Sequence, residues 1–162
     1  ISIHFMLTQY QKLALQLELL GWTLTILVTA GVLYPIRTSL YEWPFQTWNI
    51  IFIVVLITLG RYIFLLKHTF LARKQYLKFV LMVLMFPAVF MLISGLNGFM
   101  VWIEENTWEP LTGHLPLQQQ QKIEGYAWNE MIFFGAGSII AAVVFAGRML
   151  MSIWLTHNRS RV

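Results

Sequence analysis

The chain has 162 residues, of which 58% are hydrophobic and only 11% charged, with a formal net charge of +4. Soluble domains carry about 25% charged residues, so this deficit places the chain in the membrane class. It contains no cysteine, which excludes disulfides, thiolate metal sites and thiol catalysis.

Residues 1–12, "ISIHFMLTQYQK", are mixed and are expected at a membrane interface or as an extension of the first helix. The first apolar stretch, 13–36, contains Gln16 and Glu18 and ends at "YPIR", where Pro35 and Arg37 mark a surface. It exceeds a signal-peptide core and lacks a small-residue cleavage pattern, so it is expected to stay in the membrane. A short connection, "TSLYEWPFQTW", supplies Tyr41, Trp43 and Trp48 as an aromatic belt. The second stretch, 48–66, contains Arg61. The basic "KHTFLARKQYLK" that follows reads as two helix ends joined by a tight turn. The third stretch, 79–103, carries no charge, and Pro87 inside it is expected to kink the helix. The fourth, 131–156, contains Arg148. Each stretch has the length needed to cross hydrocarbon, about 20 residues.

The expected fold is therefore all-α: an integral membrane protein forming one domain over 1–162, an up-down bundle of four transmembrane helices. If the spans alternate, Lys12, Lys67, Arg73, Lys74, Lys78, Arg159 and Arg161 share one side, against Arg37 and Lys122 on the other. The second side also collects Glu42, Glu104, Glu105, Glu109, Glu124 and Glu130. By the positive-inside rule both termini are cytoplasmic. That face attracts anionic lipid at about 1 kcal/mol per basic residue without defining a specific lipid or nucleic-acid site.

The connection 104–130 is long for so small a protein, and "PLQQQQKIEGYAW" within it predicts a short interfacial helix beginning near Pro116. Trp108, His114 and Trp128 are its candidate contact residues, either on a docking surface or, for the tryptophans, as headgroup anchors.

Depth estimated from spacing brings three ionisable groups together. Glu18 lies six residues from Lys12 and Arg61 six from Lys67, about 9 Å inside at about 1.5 Å per residue. Arg148 lies nine residues from His157, about 13 Å away. A lone charge at the centre of a span costs at least about 2.5–3.5 kcal/mol, so Glu18 is expected to pair with one of the two arginines. Threonine or serine hydroxyls would complete the pair. The arginine left over would want an anion: a lipid phosphate, a substrate carboxylate or an acid on a partner helix.

In the fourth span, Gly137 and Ala141 are four apart, as are Ser138, Ala142 and Ala146, a spacing of small residues that admits another helix closely. Asn97, between Gly95 and Gly98, is expected to hydrogen-bond to another helix. His4, His68 and His157 lie at the basic margin and His114 in the connection, an arrangement that gives no reason to expect haem or a metal. Glu104, Glu105, Glu109 and His114 form only a weak cation-binding pattern. No phosphate loop, nucleophile elbow or zinc-protease motif is present.

The primary expectation is a non-catalytic accessory or scaffold subunit of a larger complex in the bacterial inner membrane, partnered by lipid and other transmembrane subunits. A small oligomeric transporter or channel using Glu18, Arg61 and Arg148 is the second reading. A haem-bearing electron-transfer subunit is the third. No nucleic-acid partner or soluble substrate is identifiable.

Overall fold

A computed structural model describes residues 2–159, with the side chains of residues 2–8, 10, 68, 70 and 72 outside that description. The expectations placed on His4, His68 and Arg161 therefore lie outside the described residues. The chain forms α1 (Ser2–Ser39), α2 (Gln46–Leu65), α3 (Gln75–Asn106), α4 (Glu109–Thr112) and α5 (Leu117–Arg159). Two tight 3-10 turns, Leu66–His68 and Phe70–Arg73, join α2 to α3. Four of the helices, α1, α2, α3 and α5, are long and apolar enough to cross a membrane.

Hydrogen bonds between helices fix their alternating directions. At one end Arg61 meets Glu18, Gln75 meets Thr156, and Lys78 meets Ser152. At the other, Asn49 meets Glu130, His114 meets the Ser39 carbonyl, and Tyr126 meets the Val32 carbonyl. The first is the basic end and the second the acidic end, as the distribution of lysine, arginine and glutamate requires.

The small residues of α5 put it at the centre. Ser138, Ala141 and Ala142 are buried and Ala146 is half-buried. A β-carbon on Gly137 would lie 3.0 Å from Leu56 of α2, and one on Gly135 would lie 2.7 Å from Leu96 of α3. The small face therefore receives α2 on one flank and α3 on the other, within the chain itself. A core of Phe45, Phe52, Leu92, Phe99 and Met131 fills the space among the three. Gly95 of α3 supports it, because Trp48 lies where its β-carbon would be, at 2.4 Å.

Helix α1 leans on this trio. Its Ile36, and Leu40 just past its end, pack on Ile123 and Ala127 of α5 at the acidic end. Leu15, Leu19, Leu20, Ile26 and Leu27 stay exposed.

The expected connection 104–130 proves much shorter. Asn106 ends α3, and α5 starts at Leu117 and continues without a break to Arg159. The expected interfacial helix is thus the first part of α5. The Pro116 carbonyl accepts from the amides of Gln119 and Gln120, which sets the first turn. Glutamine and lysine favour helix, and Gly125 costs only about 1 kcal/mol relative to alanine. The burial of Ile123 and Ala127 outweighs that cost. What remains is the turn 107–116. Thr107 reverses the chain at φ 60°, a left-handed conformation that a β-branched residue rarely adopts, while its amide caps the Ile103 carbonyl at 2.9 Å.

Helix α1 also runs longer than the expected 13–36, and α3 passes through Pro87 as a single helix.

Candidate functional site: a clamped ion pair and a basic cavity

Glu18 and Arg61 meet across α1 and α2. Arg61 Nη2 lies 2.8 Å from Glu18 Oε2, with side-chain exposures of 13% and 19%. Tyr62 donates its hydroxyl to Glu18 Oε1 at 3.1 Å, and Arg61 Nη1 approaches the Glu18 carbonyl at 3.5 Å. Both carboxylate oxygens are therefore occupied. The guanidinium also lies 5.9 Å from the Trp22 ring centre and 5.5 Å from that of Tyr62, within cation–π range.

Gly21 makes this crossing possible. A β-carbon there would fall 1.5 Å from Arg61 Nη1 and 2.5 Å from Cζ. Glu18, Gly21 and Trp22 stand at i, i+3 and i+4, so they share one face of α1: an acid, a gap and a ring. The hydroxyl expected to complete the pair was a threonine or serine, but Tyr62 supplies it. Thr25 and Thr29 instead donate back to their own helix, to the carbonyls of Gly21 and Thr25 at 2.8 Å each. Threonine in a helix readily satisfies its hydroxyl this way.

Arg148 lies elsewhere. It lines a cavity of about 370 Å³ at the basic end together with Lys67, Lys78, Ser152, Thr156 and Arg159. Lys78, at 2% exposure, donates to Ser152 Oγ at 3.0 Å. The hollow beside Glu18 and Arg61 has only about 10 Å³. That is at the lower limit for a single water.

The acidic end holds a second buried polar pair that its sequence context hid. Asn49 of α2 is 0% exposed and Glu130 of α5 is 7% exposed. Asn49 Nδ2 donates to Glu130 Oε1. Among the described residues, Asn49 Oδ1 and Glu130 Oε2 are buried without a hydrogen-bond partner. Asn49 directly follows an aromatic-belt tryptophan, and Glu130 ends a run of acids, so each reads as a surface residue. The discriminating signal is weak: each lies at the apolar edge of its span.

Of the candidate contact residues of the connection, Trp108 and Trp128 are half-buried and His114 is exposed. Trp108 stacks on Trp43 with centroids 6.4 Å apart and planes 7° apart, and Trp128 lies 5.6 Å from Phe99. Both pack, half-buried, against the core cluster. His114 donates to the Ser39 carbonyl at 3.1 Å and lies over Tyr41 at 4.2 Å. Among the described residues, Glu104, Glu105, Glu109 and His114 do not gather as a cation site. A mixed hollow of about 800 Å³ opens beside His114, Glu42, Arg37 and Gln46.

Among the described residues, Asn97 has no hydrogen bond to a neighbouring helix. It is exposed on α3, as are Ser94, Gly98 and Val101, which share its face at i−3, i+1 and i+4. No protein family, curated protein or solved structure matches this chain.

Proposed function

We propose that this chain is a multi-pass membrane protein acting as a non-catalytic accessory subunit of a larger membrane complex, with its basic end in the cytoplasm. Between 11% and 22% of each spanning window is buried within the chain. Exposed leucines and phenylalanines such as Leu20, Leu27, Phe86 and Phe90 would each cost about 1.5–3 kcal/mol in water relative to burial, and lipid removes that cost. The excess of lysine and arginine at the basic end supports the orientation. An inner bacterial membrane accords with that bias.

The observation that carries the accessory role is the exposed amide of Asn97. It lies about 9 Å from the midpoint of 79–103, on a face it shares with Ser94 and Gly98. In lipid an amide needs a hydrogen-bond partner, and small neighbours let a second helix approach closely enough to give one. A transmembrane helix of another subunit is the occupant that fits.

The transport reading asks Glu18, Arg61 and Arg148 to line one path. Glu18 and Arg61 instead occupy each other, and Arg148 lines a separate cavity. The accessory reading needs no such path.

A photo-cross-linking amino acid at position 97 tests this directly, with the same group at exposed Leu19 as the control. The expected result is one adduct of fixed mass from position 97 that position 19 does not give. Adducts to lipid alone from both positions would oppose it, and a dimer-sized adduct would move the reading toward self-assembly.

A further inference from the structure

We propose that the basic cavity formed by the turn after α2, the start of α3 and the last turns of α5 is a binding site for a phosphate-bearing anion. At about 370 Å³ it falls in the range of small-ligand sites, roughly 300–1,000 Å³. Four cationic side chains line it, Lys67, Lys78, Arg148 and Arg159, together with the hydroxyls of Ser152 and Thr156. Among the described residues, no acidic side chain lines it.

The donors match phosphate chemistry. Guanidinium groups present paired N–H donors in a plane, the geometry that two phosphate oxygens accept. The Lys78 ammonium is held in place by Ser152 Oγ at 3.0 Å, so it is ordered before a ligand arrives. Arg148 and Ser152 are one helical turn apart on α5 and face the cavity together. Leu66 and Leu155 add apolar wall beside these donors, as a molecule with a charged head and an apolar tail would need.

Two sources carry this chemistry. In the orientation proposed above, the cavity sits at the depth of cytoplasmic headgroups, where basic pockets between helices hold anionic lipid. Free phosphate would reach the same donors from the water side.

Isothermal titration of the full chain in a neutral detergent separates the sources. Dihexanoyl phosphatidylglycerol, dihexanoyl phosphatidylcholine and inorganic phosphate are the three probes. Saturable one-to-one binding of phosphatidylglycerol, at least tenfold tighter than phosphatidylcholine and not displaced by millimolar phosphate, assigns the lipid. Saturable binding of inorganic phosphate that displaces phosphatidylglycerol assigns the free anion. In either case R148Q is expected to weaken binding at least tenfold. The exposed pair K67Q/R159Q should weaken it severalfold. Absence of saturable binding by any probe would overturn the proposal, as would equal affinity in wild type and both variants. The site stands apart from the complex-forming face of α3, so failure to find a partner subunit leaves this result independent.

Discussion

Replacing Glu18 with alanine is expected to destabilise the folded chain by about 2 kcal/mol in mixed micelles. Left alone, Arg61 would carry the cost of an unpaired charge among apolar side chains, about 2.5–3.5 kcal/mol at a span centre. Its side chain is long enough to recover part of this by reaching toward the surface. Removing both partners should recover most of the loss, because the desolvation cost disappears along with the attraction. Gly21→Ala arrives at the same result by a steric route. The new β-carbon would fall 1.5 Å from Arg61 Nη1 and 2.8 Å from its Cδ, so the outer half of that flexible chain has to move. Once it moves, the 2.8 Å bond to Glu18 is lost. In a Glu18→Ala/Arg61→Ala background the sign reverses, and Gly21→Ala becomes neutral or stabilising by up to about 1 kcal/mol through helix propensity. Equal destabilisation by Gly21→Ala in both backgrounds would show that the glycine serves something other than the guanidinium.

At the acidic end, Asn49→Leu is expected to cost about 1–3 kcal/mol, the penalty for leaving a buried polar partner unsatisfied. Leucine fills the space of asparagine closely, so the loss reports the hydrogen bond to Glu130 rather than a cavity. Glu130→Gln keeps an acceptor oxygen facing Asn49 Nδ2 and should cost less than half as much. The reverse order, with Glu130→Gln severe and Asn49→Leu mild, would mean that the carboxylate has a role beyond this pair. Unfolding curves for the two variants, read against wild type, decide between them.

The features legible in the sequence were those written in long local runs. Four apolar stretches and a one-sided set of lysines and arginines read directly as four helices of alternating direction. Hydropathy sees only the apolar part of a helix, however. It missed that "PLQQQQKIEGYAW" continues into the fourth span, since the polar half is held by Ile123 and Ala127 packing on a distant segment of α1. Spacing placed Glu18 at a depth similar to Arg61, with Arg148 also on the basic side. It could not choose between the arginines, because the choice rests on Gly21 leaving room and on Tyr62 supplying the second donor. Tyr62 is one aromatic among many, and Lys78 reads as an ordinary loop charge until α3 and α5 bury it. Trp108 and Trp128 carry a composition typical of a headgroup belt. In the structure these rings also meet aromatic rings of distant segments, Trp108 on Trp43 and Trp128 beside Phe99, contacts that composition does not reveal.

Native mass spectrometry of the chain, extracted from its own membrane in a mild detergent, tests the accessory role most directly. The account predicts a complex of fixed stoichiometry containing at least one different membrane subunit, which dissociates when Asn97 is replaced by leucine. A lone monomer, or an assembly of this chain only that is indifferent to the substitution at Asn97, would contradict it.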